Sequence, residues 1–234
     1  GLVGSEMCIR DRDAPLWMRH SVISPDGTTI AFTYKGDIYT VPVAGGRAMQ
    51  ITTNPAYDTA PVWSPDSKRI AFASDRMGSL DVYIVAKDGG EPRRLTTHSG
   101  SETPLAFTDA GHVLFSAGIM PSAEAVVFPS NGQFNQVYRV SVEGGRPTMI
   151  SSMPMECISI NKEGAMLYQD KKGYEDYWRK HHVSPIARDI WMYTPGKEPQ
   201  YRQLTTFGGE DREPVWAPDG KTFYYLSEEN GSFN

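Results

Sequence analysis

The sequence predicts an all-β fold, a β-propeller of four-stranded antiparallel blades, and three observations carry that prediction. A set of four local markers recurs in fixed order along the chain. The recurrence distance, about 40 to 50 residues, is that of a propeller blade, a unit that cannot bury both faces alone and stacks radially on its neighbours. The composition, 39% hydrophobic and 11% aromatic with 22 Gly and 17 Pro, suits a packed all-β chain with many tight turns.

The first marker is a turn: Ser24-Pro25-Asp26-Gly27, Ser64-Pro65-Asp66-Ser67 and Ala217-Pro218-Asp219-Gly220, echoed at Thr108-Asp109-Ala110-Gly111 and Asn161-Lys162-Glu163-Gly164. Proline pre-sets φ, Asp accepts backbone hydrogen bonds, and Gly tolerates the exit geometry. The second marker is an alternating apolar run: Ile30-Ala31-Phe32, Ile70-Ala71-Phe72, Val113-Leu114-Phe115, Met166-Leu167-Tyr168 and Phe223-Tyr224-Tyr225. Such runs read as strands. A second strand signal follows in Asp37-Ile38-Tyr39, Asp81-Val82-Tyr83, Gln136-Val137-Tyr138 and Asp189-Ile190-Trp191. The fourth marker is a Gly-bearing turn leading to a hydroxyl-ended strand. It runs from Gly45-Gly46 to Ile51-Thr52-Thr53, Gly89-Gly90 to Leu95-Thr96-Thr97, Gly144-Gly145 to Ile150-Ser151-Ser152, and Gly196 to Leu204-Thr205-Thr206. Four strands per repeat follow.

Taken in order, residues 1–12 have no periodicity, do not fit the repeat and resemble a translated adaptor tail; they are read as a non-native leader and set aside. Residues 13–234 read as one propeller fragment, with blades at roughly 17–57, 58–99, 100–153 and 154–207 and a partial fifth at 208–234. The fifth repeat stops before its third strand, so the ring is expected to be open and the sequence a piece of a longer chain with a six-bladed ring. An open ring leaves an unpaired edge and an uncovered blade face, which isolated proteins avoid.

The connection between second and third strands varies in length. It holds four residues between Phe32 and Asp37, eight between Phe72 and Asp81, and twenty in each of the next two blades. In an antiparallel blade this connection lies on the same face of the disc as the blade-to-blade link. Repeat proteins place insertions on their binding face, which makes this the candidate functional face. The links on it bring acids to the start of the innermost strand: Asp58 before Pro61, Glu102 before Pro104, Asp211 and Glu213 around Pro214. A recurring acid of this kind is expected to be structural, bonded to the neighbouring blade's backbone or to an Arg.

The blade-four insertion, residues 172–188, combines Tyr174, Tyr177 and Trp178 with Glu175, Asp176, Arg179, Lys180, His181 and His182. Adjacent histidines point apart in extended chain and no carboxylate spacing accompanies them, so a metal site is not expected. Two readings stand: a docking surface built on Trp, Tyr and Arg, or a loop packed back on its own blade with its charges in water. The blade-three insertion, residues 117–135, leaves the same choice for its apolar Val126-Val127-Phe128.

Other classes recede. A net charge of -5 offers no basic stripe for phosphates, so no nucleic-acid partner is expected. No apolar run is long enough to span a bilayer. Of the two cysteines, Cys8 lies in the leader and Cys157 beside a strand, where it reads as a small buried hydrophobe. No serine sits in a Gly-flanked elbow or beside a matching His and acid, and the double glycines precede no helix that would make a phosphate site. No catalytic residue, cofactor or metal is assigned.

The PxWSPDGxxIAF, DIY, GG and LTT elements resemble the repeats of TolB-type propellers and of propellers in tricorn-type proteases. Narrower phrases are similar to the N-terminal propeller of secreted bacterial tricorn homologues, in the tail-specific class of serine peptidases. They are Pro15-Leu16-Trp17-Met18-Arg19, the run from Tyr34 to Pro42, the run from Gly173 to His182, and Gly208-Gly209-Glu210-Asp211-Arg212. The resemblance covers essentially everything after the leader. It implies an exported, periplasmic or secreted peptidase whose propeller admits or positions peptide substrate. It also implies intramolecular contact with a PDZ-like module and a catalytic domain, neither of which is present here. The alternatives are a TolB-like envelope propeller that binds protein and catalyses nothing, and the propeller of a prolyl-oligopeptidase-type enzyme.

Overall fold

The computed structural model describes residues 17–118, 135–172 and 185–233. These residues form strands, turns and loops, and the strands assemble into five antiparallel sheets. Blade one comprises β1 (Arg19–Ile23), β2 (Thr29–Tyr34), β3 (Asp37–Pro42) and β4 (Met49–Gln50). Blade two comprises β5 (Asp58–Trp63), β6 (Arg69–Ser74), β7 (Asp81–Ala86) and β8 (Arg93–Arg94). Blade three holds β9 (Glu102–Asp109), β10 (His112–Ala117), β11 (Gln136–Ser141) and β12 (Thr148–Ser151), and blade four β13 (Met155–Ile160), β14 (Met166–Asp170), β15 (Ile190–Thr194) and β16 (Gln200–Gln203). In each of these four sheets the spatial order is the chain order, and β17 (Asp211–Trp216) pairs with β18 (Phe223–Ser227) in a two-stranded sheet. The fold is a β-propeller with an open ring.

Each sequence marker has a physical counterpart. In the first turn the Asp carboxylate takes the backbone of the residues after it. Asp26 Oδ1 accepts from Thr28 N at 3.0 Å, Asp219 Oδ1 from Thr222 N at 3.0 Å, and Asn161 Oδ1 does the same for Ala165 N at 2.9 Å in a weaker echo of the motif. The double glycine is required rather than tolerated. Gly45 and Gly46 have φ of 84° and 125°, Gly89 and Gly90 89° and 120°, and a side chain at the second position would clash with its own backbone. The hydroxyl-ended strand hands its first Thr across to the third strand. Thr52, Thr96 and Thr205 Oγ1 accept from Ile38, Val82 and Ile190 N at 3.0, 2.9 and 2.9 Å.

The core lies between blades. Ile70 and Phe72 pack with Ala31, Ile38 and Ile51 of blade one, whereas Ala71, one residue along β6, packs with Val113 and Phe115 of blade three. Leu114 then faces Tyr168, Met155 and Met166 of blade four. Strand alternation thus assigns successive side chains to opposite neighbours, and each interface is apolar. The second and third strands also share a cross-strand stack, repeated at Phe32–Tyr39, Phe72–Tyr83 and Phe115–Tyr138 with ring centroids 5.8, 6.0 and 5.7 Å apart.

The first strands carry a feature that the sequence does not reveal. His20, Ala60, Cys157 and Glu213 all have φ between 50° and 52°, and each coincides with a shift of register against the second strand. These are β-bulges at one repeated position, which sharpen the twist of the innermost strand. Cys157, expected to be buried, is the bulged residue and is exposed.

Polar bonds tie adjacent blades on the side of the first turns. Asp26 N donates to Ser67 Oγ at 3.1 Å, and Asn161 Nδ2 to Gly220 O at 3.2 Å. Ser67 holds a left-handed conformation, φ 57°, where three equivalent turns use glycine. Replacing Ser67 by Ala removes the inter-blade bond and keeps the strain, whereas Gly removes both. Chemical denaturation should therefore show Ser67→Ala costing about 1 kcal/mol and Ser67→Gly near neutral.

Candidate functional site

The candidate face is built from the links between blades, and one backbone device recurs in them. Asp58 N donates to Gly36 O at 2.7 Å, Glu102 N to Leu80 O at 2.7 Å and Asp211 N to Arg188 O at 3.0 Å. The acceptor lies one residue before the third strand of the preceding blade at the first two junctions and two residues before it at the fourth. The first residue of blades two, three and five is thus clipped to the second-to-third-strand connection of its neighbour. Three candidate acids, Asp58, Glu102 and Asp211, sit at these clips, and all are buried.

The clip also brings two acids together, because the residue after each acceptor is an Asp at the start of the third strand or, for Asp189, immediately before it. At the first junction Asp37 lies beside Asp58. Arg76 Nη2 donates to both Asp58 oxygens, at 3.1 and 3.0 Å, and its guanidinium stacks 4.5 Å over the Tyr83 ring. Asp37 keeps bonds from Thr52 and Gln50, yet burial, with Asp58 adding to it, raises its pKa.

The second junction is less compensated. Asp81 and Glu102 are both fully buried. Arg94 Nη2 reaches Asp81 Oδ2 at 2.8 Å, while His98 Nδ1 stands 3.8 Å from Glu102 Oε1. Among the described residues no donor meets a Glu102 oxygen with hydrogen-bond geometry. Burial pushes the Glu102 carboxyl up to about 7; the Asp81 charge adds to the rise and the nearby Thr96 hydroxyl offsets part of it.

At the fourth junction the acids belong to a network of cations. Arg188 contacts Glu156 and Glu210 at 3.4 and 3.3 Å, Arg212 Nε contacts Glu210 at 2.8 Å, and Lys171 contacts Glu156 at 3.2 Å. Lys172 pairs with Asp189 and, at 3.5 Å, with Asp170, whose carboxyl also accepts from Asp189 N and Trp191 Nε1. Glu213 N donates to Gln169 Oε1 at 2.9 Å.

These groups are arranged as mechanical joints. Asp58 meets Arg76 and the acids of the fourth junction meet Arg, Lys and backbone, whereas the Glu102 carboxyl has no donor among the described residues, against the expectation that each link acid would bond to backbone or an Arg. The residues that reasoning from sequence missed as partners are Asp37, Asp81 and Asp189; their signal was present as the recurring Asp of the third marker. Among the described residues no three or more of His, Cys, Asp and Glu stand together to hold a metal ion. Tyr174, Tyr177, Trp178, Arg179, His181 and His182 lie outside the described residues.

An open array of antiparallel blades with clipped links defines a propeller domain. The comparison with known proteins gives its family: residues 15–234 match the tricorn protease N-terminal beta propeller domain. The chain belongs to that family. It is 24% identical over 220 residues to tricorn protease homolog 1 of Streptomyces coelicolor, covering 94% of this chain and 19% of that protein. It is 32% identical over 210 residues to the uncharacterised peptidase YuxL of Bacillus subtilis, covering 85% of this chain and 27% of that one. The chain therefore spans less than a third of the length of either relative. Among solved structures, a putative TolB from Agrobacterium tumefaciens superposes with a TM-score of 0.70 at 16% identity, covering 92% of this chain and 71% of that one. The tricorn protease does so with a TM-score of 0.70 at 19% identity, covering 93% and 21%. At these identities the structural likeness is one of fold. No helix among the described residues is long and apolar enough to cross a membrane.

Proposed function

We propose that the chain is the non-catalytic propeller of an exported, periplasmic or secreted serine peptidase of the tricorn type. There it gates peptide substrate and serves as scaffold for a PDZ-like module and a catalytic domain carried elsewhere in the parent protein. The observation that carries this reading is the family match over residues 15–234 together with the 19% share of the tricorn homologue that the chain spans. The geometry supports it: clipped links make adjacent blades a stiff unit, and a stiff ring with long connections on one face selects what reaches its centre. On this reading Tyr174, Tyr177, Trp178, Arg179, His181 and His182 form the substrate or domain contact, and Asp58, Glu102 and Asp211 hold the blades that present it.

A second reading is a TolB-like envelope propeller that binds protein and has no enzymatic role. It is favoured by a 55-residue stretch 44% identical to the Tol-Pal system protein TolB of Bordetella pertussis. Proteolysis separates the two. The parent chain should cleave casein in a manner abolished by a serine-reactive inhibitor, and residues 13–234 alone should not. Cleavage by the propeller alone, or a parent without a Ser-bearing peptidase domain, overturns the proposal.

A further inference from the structure

The junction between blades two and three is fastened unequally at its two ends. On the side of the first turns, Arg69 of β6 donates to Ala110 O in blade three, and Arg93 of β8 donates to Val142 O and, at 2.7 Å, to Glu143. Between the ends lies an apolar interface, in which Ala71, Val82 and Leu95 pack with Phe107, Val113 and Phe115. At the other end stands the clip from Glu102 N to Leu80 O, flanked by the side chains of Asp81 and Glu102.

Among the described residues, five of the eight buried side-chain polar atoms without a hydrogen-bond partner lie at this clip: both oxygens of Asp81, both of Glu102 and Nε of Arg94. Buried polar atoms are nearly always paired, so this concentration needs a physical cause. Arg94 Nη2, 2.8 Å from Asp81 Oδ2, balances one of the two carboxylates. His98 does not balance the other: its Nδ1 accepts from Gly100 N at 3.0 Å and so carries no proton for Glu102 Oε1, 3.8 Å away. β10 and β11 bring Ala117 and Gln136 to the level of Glu102, and neither is ionisable. At the first junction this place is filled by Arg76, from the second-to-third-strand connection of blade two. The same connection in blade three, residues 118–135, contains no Lys or Arg. The donor that completes the joint is a proton on Glu102, given to Asp81.

We propose that this junction is a proton-controlled hinge, closed at the clip when Glu102 and Asp81 share one proton and opened there when that proton passes to solvent. Once Glu102 is ionised, two buried carboxylates face a single arginine, and like charges out of water repel strongly. The clip end then parts about the arginine ties at the first turns, while the apolar interface keeps the two blades stacked. Burial, with the Asp81 charge adding to it, lifts the Glu102 carboxyl to about 7, which sets the opening near neutral pH. Opening frees Leu80, the last residue of the blade-two connection, from the first strand of blade three on the candidate face. The hinge belongs to the propeller itself, so it stands or falls separately from the peptidase reading.

The test is native-state amide exchange on the full chain, followed residue by residue as pH is raised and corrected for the intrinsic pH dependence of exchange. Protection of the Glu102 amide should fall by up to about tenfold per pH unit toward 7 and level off above it, because the open joint releases a proton that the closed joint holds. The Asp58 amide, clipped in the same way to Gly36 O beside an acid that Arg76 balances, and the Leu95 amide, bonded to Val82 O inside blade two, should change far less. Glu102→Gln keeps a donor toward Asp81 at every pH and should make the Glu102-position amide as flat as that of Asp58. In the wild-type chain the infrared carbonyl band of a protonated carboxylic acid should disappear over the same pH range, and it should be missing from the variant. Equal loss of protection at all three amides, a flat wild-type profile at Glu102, or an undiminished fall in Glu102→Gln overturns the proposal.

Discussion

Leu114→Ala is expected to destabilise the fold by about 3 kcal/mol, read as a lowered urea midpoint, whereas Tyr224→Ala is expected to change it by less than about 0.5 kcal/mol. The two residues occupy the same place in their repeats, the centre of the second strand, and alternation points both toward the next blade. Leu114 is fully buried there against Tyr168, Met155 and Met166. Tyr224 is 71% exposed, on a sheet of two strands. Since each blade contacts only its neighbours, stability in such an array is a sum over interfaces, and a side chain counts only where the next sheet covers it. Truncating Leu114 leaves a cavity at an interface between two complete sheets; truncating Tyr224 removes surface already in water. A loss below about 1 kcal/mol for Leu114→Ala, or equal losses for the two, would mean that the blades do not stack as described.

Much of this architecture was legible because its causes are local. Period-two alternation in Ile70-Ala71-Phe72 names a strand and its two faces, and the Pro-Asp pair of Ser64-Pro65-Asp66 names the turn before it. The repeat then supplies the global arrangement, since a four-stranded unit with two apolar faces has few ways to bury both. Side-chain consequences of stacking were only half visible. That Asp58 would meet an Arg was expected; that Asp81 would lie beside Glu102 was not, because the two are brought together by the clip between Leu80 and Glu102 and by nothing in their own flanking sequence. The bulges at His20, Ala60, Cys157 and Glu213 share no residue type, so no composition rule marks them; their common cause is the twist demanded of an innermost strand. Cys157, at one of these bulges, is exposed, against the expectation from its apolar character. The aromatic and histidine cluster of the blade-four insertion, conspicuous in sequence, lies outside the described residues, and its role rests on the proposal above.

The junction between blades two and three should make stability fall as pH rises through neutrality. Glu102 is held protonated by burial and by the neighbouring Asp81, with its pKa moved from the ordinary 4.5 to about 7. Below about 4.5 the folded and unfolded chains both carry the proton, and the group imposes no penalty. Between 4.5 and 7 the unfolded chain has released a proton that the folded chain still binds, so each step up in pH favours unfolding. Above 7 both states are ionised and the loss is complete, on the order of 3 kcal/mol. Glu102→Gln keeps the shape, offers its amide to Asp81 and cannot ionise. Urea midpoints measured at intervals from pH 5 to pH 8 should therefore decline in the parent chain and stay nearly flat in the variant, which should be the more stable of the two at pH 8. The groups facing Glu102 decide how general the effect is: Asp81 opposes its charge, Arg94 is engaged by Asp81, and His98 stands 3.8 Å away. Asp81→Asn should accordingly shift the decline to lower pH without abolishing it. An undiminished decline in Glu102→Gln would place the pH dependence in other groups and would leave the Glu102 joint a contact of shape alone.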